Sequence, residues 1–152
     1  MARPRAGGRF FLMFLVDTNV VSELRKIRHG KSDRRVAAWA DSVDAVDLYL
    51  SVVTIQELEI GILLIERRDP SQGAMFRSWL NDHVLPAFSG RILDVDTAVV
   101  LRSARLHVPD PCPFRDGLIA ATALVHGMTV VTRNTADFAP SGVTTLNPWT
   151  WG

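Results

Sequence analysis

The chain has 152 residues, of which 47% are apolar and 22% are charged, values that are ordinary for one compact globular domain. Its 17 basic residues nearly balance its 16 acidic residues, so the overall charge does not indicate nucleic-acid binding, and any positive surface must be local. A single cysteine, Cys112, excludes an intrachain disulfide and a cysteine-rich zinc site, and it favours a reduced, cytoplasmic setting.

The first residues resemble a signal peptide only superficially. An apolar stretch follows Arg3 and Arg5, but it is too short to span a bilayer and runs directly into Asp17 without a small-residue cleavage site. We therefore expect residues 1–12 to form a flexible basic leader that is dispensable for folding. Residues 13–152 are expected to form one folded domain with no membrane segment.

After the leader, short apolar runs alternate with amphipathic helical stretches, which predicts an α/β protein with a parallel sheet. The predicted strands are 11–16, 48–53, 92–95, 128–132 and an edge strand at 143–146. The predicted helical segments are 21–24, 36–40, 54–66, 70–90, 96–107 and 114–126, with a polar connector at 25–35. Pro70 suits a first helical turn, and Gly127 suits a C-cap.

Four acidic residues fall near the carboxyl ends of predicted strands or at the starts of helices. Asp17 follows the first strand, and Glu57 lies one turn into the helix after the second strand. Asp116 lies in the first turn of its helix, and Asp137 follows the strand at 128–132. Because open parallel sheets bind ligands outside the carboxyl ends of their strands, the four acids can converge on one crevice.

Each acid also has a purely structural interpretation. Asp17 can cap the next helix, and Thr54 and Glu57 form a T-x-x-E capping box. The helix dipole stabilises an acid in a first turn, such as Asp116. Asp137 suits a turn. The joint arrangement favours a site, since an acid against a buried strand end is desolvated unless a cation neutralises it. No lysine or arginine adjoins Asp17 or Glu57 in sequence. A hard divalent ion, Mg²⁺ or Mn²⁺, would fill that role.

A longer pattern surrounds these acids. It consists of LVDTNVVSEL at 15–24, SVVTIQELEIG at 51–61, DGLIAATA at 116–123, VTRNTADF at 131–138 and the closing Asn147-Pro148-Trp149. In this order the segments resemble PIN-domain ribonucleases of the VapC toxin type, and within them the FitB-like branch. The resemblance covers nearly all of 14–149. It implies a PIN-like α/β fold, with a short parallel sheet flanked by helices on both faces.

The resemblance also implies an activity and partners. It implies an endoribonuclease that depends on Mg²⁺ or Mn²⁺ and acts as a dimeric toxin, neutralised by a cognate VapB-type antitoxin and meeting operator DNA only through that antitoxin. The family's catalytic acids correspond to Asp17, Glu57, Asp116 and Asp137, with Asp17 and Asp116 as the direct metal ligands. A metal-activated water would attack in line and leave 5′-phosphate and 3′-hydroxyl ends.

Four further residues are candidates for supporting the site or contacting substrate. Asn134 matches the family's Thr-Arg-Asn signature and would orient the last acid or the substrate, while Thr18 or Asn19 would assist through a hydroxyl or an amide. The chain departs from the family pattern in its basic leader and at Arg115. Arg115 directly precedes Asp116, where it can reach a phosphate or pair with an acid.

Other functions fit the sequence less well. Histidine-based ribonuclease chemistry is disfavoured because the four histidines are scattered, at positions 29, 83, 107 and 126. A non-catalytic PIN-like module, acting within an antitoxin–operator DNA complex, would not need the acids. A receiver domain would need paired aspartates after the first strand, and neither glycine-rich nucleotide-binding motif occurs. Two surfaces are candidate contacts: the basic run 25–35 for an RNA backbone and the apolar helix around Trp79 for a dimer or antitoxin.

Overall fold

A computed structural model describes residues 3, 4 and 10–152 of the chain. Most of the predicted leader, residues 1–12, lies outside the described residues, so its flexibility and the domain boundary at residue 13 stay predictions. Within it, Arg3–Pro4 and Phe10–Phe11 pair as two short antiparallel strands. No helix in the described part of the chain combines the length and the apolar character that crossing a membrane requires.

A five-stranded parallel sheet forms the centre of the domain. Its strands are β1 (Phe14–Val16), β2 (Leu48–Ser51), β3 (Ile92–Leu93), β4 (Thr129–Val131) and β5 (Thr145–Leu146). Their order across the sheet is β3-β2-β1-β4-β5, and every neighbouring pair is parallel. Leu15 in the central strand lies opposite Tyr49 on one side and Val130 on the other. The predicted parallel sheet is confirmed, and β5 is an edge strand as expected.

In the part of the chain that the structure describes, seven helices surround this sheet. They are α1 (Thr18–Arg25), α2 (Arg34–Ser42), α3 (Val52–Arg68), α4 (Pro70–Trp79), α5 (Thr97–Leu106), α6 (Phe114–His126) and α7 (Thr135–Phe138). Helix α4 continues through a wider turn at Leu80–Val84 and a last helical turn at Leu85–Ala87. Pro70 starts α4, and Gly127 ends α6 in the left-handed region at a φ of 66°, both as predicted.

The core lies on both faces of the sheet. Successive residues of a strand point to opposite faces, and β1 follows this rule: Phe14 and Val16 pack into one apolar cluster and Leu15 into the other. The first cluster includes the fully buried Trp39, and the second includes Ile119 from α6. Helices therefore cover both faces, which confirms the predicted layers.

The structure corrects where the second strand ends. The β-branched run after Ser51 favoured a strand to residue 53, but α3 already begins at Val52, and the Ser51 hydroxyl caps it by accepting the Val53 N–H at 3.0 Å. The predicted capping box of Thr54 and Glu57 is therefore wrong. Thr54 lies inside the helix and is buried, and its hydroxyl has no hydrogen-bond partner among the described residues.

Several other boundaries also differ from the predicted ones, and two of them are informative. The first core strand begins at Phe14 rather than residue 11. Helix α2 begins at Arg34 rather than residue 36, because the Asp33 carboxylate accepts the N–H groups of Arg35 and Val36 at its N-terminus. In both cases the element itself was predicted correctly, and the error lies in the residues that lead into it.

Candidate active site

Asp17 is placed by the end of the central strand. It directly follows β1, and its backbone N–H donates to the Val131 carbonyl at 2.9 Å, which continues the ladder to β4. Its side chain caps α1, because Oδ1 accepts the Thr18 N–H at 2.8 Å. The carboxylate is completely buried. The capping interpretation and the site interpretation of Asp17 are thus compatible.

The second carboxylate oxygen of Asp17 faces the end of β4. Asp17 Oδ2 accepts the Thr132 hydroxyl at 2.8 Å and the Asn19 side-chain amide at 3.4 Å. Thr132 is fully buried, and its oxygen also accepts the Asn134 N–H at 3.1 Å. Sequence reasoning assigned no role to Thr132. The available signal was its position directly after a buried strand that neighbours β1, which mirrors the position of Asp17.

Arg115 joins three of the four predicted acids. From the first turn of α6, its Nε donates to Glu57 Oε2 at 2.5 Å, its Nη1 to Asp116 Oδ1 at 2.6 Å, and its Nη2 to Asp17 Oδ1. The other Glu57 oxygen accepts the Thr18 hydroxyl at 2.6 Å. We call Arg115, Asp17, Glu57 and Asp116 the acid cluster. Its members come from β1, α3 and α6, and they meet at the carboxyl ends of the strands.

Electrostatics explain why Arg115 is held there. Burial acts to lower the pKa of its guanidinium, but the hydrogen bond to Glu57 and the charges of Asp17 and Glu57 raise that pKa above its ordinary value. Arg115 therefore stays protonated at any pH at which the protein is folded. One guanidinium faces three carboxylates, so the acid cluster carries an excess of two negative charges when its carboxylates are ionised.

This arrangement corrects one step of the sequence argument. A metal ion was expected because no basic residue adjoins Asp17 or Glu57, yet Arg115 reaches them from 98 and 58 positions away. The donor chemistry still fits Mg²⁺ or Mn²⁺, which prefer carboxylate oxygens. Among the described residues, however, no group of three or more His, Cys, Asp or Glu side chains is arranged to hold a metal. The three carboxylates face the guanidinium instead.

Asp137 lies near the acid cluster but outside its hydrogen bonds. It is an exposed residue of α7, and its N–H donates to the Asn134 carbonyl at 3.0 Å. Asp137 and Asp116 both line a cavity of about 440 Å³, and the loop around Pro111 also lines it. The structure thus brings three acids together around Arg115 and places the fourth on a cavity shared with one of them.

A second cavity lies away from the acid cluster. It measures about 630 Å³ and is lined by Arg25, Arg28, His29, Gln72, Met75, Phe76, Ser78, Trp79 and His83. The Arg25 guanidinium lies 4.5 Å from the centre of the Phe76 ring, and Arg28 contacts His83 Nδ1 at 3.2 Å. The two predicted contact surfaces, the basic run and the apolar helix, therefore meet in one place. The histidines are also less scattered than predicted, since His29 and His83 share this cavity.

Comparisons with known proteins match this fold. A family model described as PIN domain matches residues 14–139. The chain is similar to Toxin FitB of Neisseria gonorrhoeae, with 40% identity over 143 residues that cover 90% of this chain and 99% of that protein. It is also similar to VapC ribonuclease Y4jK of Sinorhizobium fredii, with 37% identity over 142 residues that cover 90% and 98% of the two chains.

Solved structures of similar proteins share this fold. The crystal structure of FitAcB from Neisseria gonorrhoeae superposes with a TM-score of 0.82 at 36% identity, covering 91% of this chain and 99% of that one. A structure of FitAB bound to an IR36 DNA fragment superposes with a TM-score of 0.82 at 35% identity and 92% and 98% coverage. A DNA-bound VapBC from Salmonella typhimurium, at 21% identity, a TM-score of 0.65 and 91% and 99% coverage, shares the fold.

Proposed function

The chain belongs to the PIN domain family, and from that premise we propose that it is a metal-dependent endoribonuclease and the toxin of a toxin–antitoxin pair. The observation that carries this proposal is the meeting of Asp17, Glu57 and Asp116 at the carboxyl ends of parallel strands. Two similar proteins, one named as a toxin and one as a VapC ribonuclease, support the same activity.

Mg²⁺ or Mn²⁺ would be held by Asp17 and Asp116, with Glu57 and Asp137 completing the acidic surroundings. When bound, such an ion supplies charge neutralisation at the phosphate and a lower pKa for the attacking water. The chain's own residues orient the donors. The Thr132 hydroxyl holds the Asp17 carboxylate at 2.8 Å, and the Asn134 carbonyl fixes the backbone of Asp137 at 3.0 Å.

The proposed reaction is hydrolysis of an RNA phosphodiester. A water oxygen bonds to phosphorus, the bond from phosphorus to the 3′ oxygen breaks, and the 3′ oxygen takes up a proton, which leaves 5′-phosphate and 3′-hydroxyl ends. The cavity of about 440 Å³ beside Asp116 and Asp137 offers the scissile phosphate a place next to the acid cluster. Asn19 and Thr18 act by holding Asp17 and Glu57 in position.

Partners form a second part of the proposal. The structural neighbours are named as FitAB, FitAcB and VapBC assemblies, some bound to DNA, which supports a VapB-type antitoxin partner and contact with operator DNA only through it. We also propose a homodimer that acts in the cytoplasm. The cavity that combines Arg25 with Met75 and Trp79 offers such a partner both charge and apolar surface.

The test is RNA cleavage by the purified chain in Mg²⁺, in Mn²⁺ and in EDTA, with Asp116→Asn as the matched variant. Asparagine keeps the size of the side chain and an oxygen for Arg115 but removes the charge that a metal needs. We expect cleavage with either ion, 5′-phosphate products, and no cleavage in EDTA or by the variant. Cleavage that survives both would contradict the proposal and would point to the cavity that holds His29 and His83. An inactive chain that still supports antitoxin binding to operator DNA would favour the non-catalytic alternative.

A further inference from the structure

Arg115 occupies the point on which the acid cluster converges. Its guanidinium donates a hydrogen bond to one oxygen of each of Asp17, Glu57 and Asp116. Asp17 and Asp116 are the proposed direct metal ligands. A divalent ion that used the same oxygens would therefore meet a guanidinium already bonded to them. The question is whether the ion could bind beside Arg115 or only in its place.

The hydrogen bonds that Asp17 accepts distinguish between these two arrangements. An ionised carboxylate has about four lone-pair positions for hydrogen bonds. Asp17 Oδ1 accepts the Thr18 N–H and Arg115, while Oδ2 accepts Thr132 and Asn19. Three of these four donors lie close to Asp17 in the fold, because they belong to the first turn of α1 and to the residue that follows β4. Arg115 is the donor that is a long side chain with access to solvent.

Arg115 is also the member that can leave. Its side chain is 31% exposed, whereas Asp17 is completely buried, so a released guanidinium would regain hydration while the Asp17 carboxylate would not. The cluster has one positive charge for three negative ones. A divalent ion would neutralise it more completely than Arg115 does.

We propose that Arg115 is an internal cation that keeps the acid cluster folded without a metal and that a divalent ion must displace it to load the site. This inference rests on the proposed metal-dependent function, which it deepens. Arg115 is a positioning residue in this role. It holds Asp17, Glu57 and Asp116 together in the absence of metal and lowers their apparent affinity for an ion, because the two cations compete for the same oxygens.

The direct test is Mn²⁺ binding measured by calorimetry on wild type, Arg115→Gln, Arg115→Lys and Arg77→Gln. A neighbouring charge shifts the equilibria of a carboxylate by about tenfold or more, so Arg115→Gln should bind Mn²⁺ at least about tenfold more tightly than wild type. Arg115→Lys keeps the charge but loses the planar fork, so its affinity for Mn²⁺ should lie between those of wild type and Arg115→Gln. Arg77→Gln removes an arginine that pairs with two glutamates elsewhere and should match wild type.

Thermal unfolding gives a readout that does not depend on activity. In EDTA, Arg115→Gln should melt below wild type because three carboxylates lose their cation. A ligand that binds only the folded state raises Tm according to its affinity, so Mn²⁺ should raise the Tm of Arg115→Gln by more than it raises that of wild type. The Tm of Arg77→Gln should respond to Mn²⁺ as wild type does.

The outcomes separate the two proposals. Equal or weaker Mn²⁺ binding by Arg115→Gln would overturn the displacement model and leave the metal-dependent function standing. Binding by neither wild type nor Arg115→Gln would overturn both. If Arg115→Gln does not fold, Arg115→Lys carries the test, and a Kd equal to that of wild type would overturn displacement.

Discussion

Helix α3 contributes to two arginine–carboxylate clusters that differ in their surroundings. Glu57 belongs to the acid cluster around Arg115, while Glu59 and Glu66 pair with Arg77 of α4 in what we call the surface cluster. Arg77 contacts both Glu59 oxygens, at 2.5 and 2.7 Å. Both clusters contain a contact of 2.5 Å, so the shortest bond length alone does not distinguish them.

The two clusters differ in how far their carboxylates are buried and in which elements they join. The Glu59 side chain is 40% exposed, and the surface cluster joins two consecutive helices that approach closely where Gly73 lies against the Glu66 backbone. Water and salt screen such pairs, so they contribute little. The acid cluster joins β1, α3 and α6 around the fully buried Asp17, where a carboxylate depends on its protein partners. Convergence of distant elements on a buried carboxylate marks a candidate site, and ion-pair geometry alone does not.

The largest expected difference between the clusters is in RNA cleavage. Asp17→Asn keeps the shape of the buried side chain but removes a proposed metal ligand, so cleavage should fall by about 10²- to 10³-fold, the range for loss of one preorganised electrostatic group. The matched change Glu59→Gln in the surface cluster should leave the rate unchanged. Initial rates of cleavage in Mg²⁺, with circular dichroism to verify folding, measure both. Wild-type activity in Asp17→Asn would remove Asp17 from the proposed machinery.

The sequence predicted the acid cluster only in part, for physical reasons. Asp17 and Asp116 could be placed because buried runs and helix starts are local patterns, and α6 has the predicted bounds. The predicted end of β2 was wrong because Val52 and Val53 favour a strand locally. In the structure the Ser51 hydroxyl caps a helix that begins at Val52. For Arg115 the sequence left two interpretations, contact with a phosphate or pairing with an unspecified acid. Its contact with Asp17 spans 98 positions, and no local pattern encodes such a distance.

A buried hydroxyl provides the next test, because the acid cluster has a supporting threonine from β4. Thr132→Val removes the hydrogen bond to Asp17 while preserving side-chain shape. Loss of a hydrogen bond to a charged group costs about 1.5–3 kcal/mol of unfolding free energy, and loss of a group that orients a metal ligand lowers activity by about 10- to 100-fold. Urea unfolding and cleavage rates measure the two effects. Full activity would show that Thr132 has a structural role only.

Thr54 lies on α3, the helix that both clusters share, and its replacement by valine is expected to stabilise the protein, unlike Thr132→Val. Its hydroxyl is buried without a hydrogen-bond partner among the described residues, so Thr54→Val removes an uncompensated polar group. We expect the unfolding free energy to rise by about 1 kcal/mol and cleavage to stay unchanged. The same urea experiment compares Thr54→Val directly with Thr132→Val. A loss of stability similar to that of Thr132→Val would mean that the Thr54 hydroxyl is satisfied in solution.

The smallest expected effect concerns the surface cluster and pH. The hydrogen bond from Arg77 lowers the pKa of Glu59 below its ordinary value of 4.5. Because the folded-state pKa is depressed, the stabilisation is present above 4.5 and is lost as pH falls through the lowered value. Wild type should therefore melt slightly above Arg77→Gln at neutral pH, and this difference should disappear in acid and shrink in high salt. Tm measured across that pH range provides the test. A difference that persisted in acid would have to come from packing of the Arg77 side chain, since Glu59 would then carry no charge for it to bind.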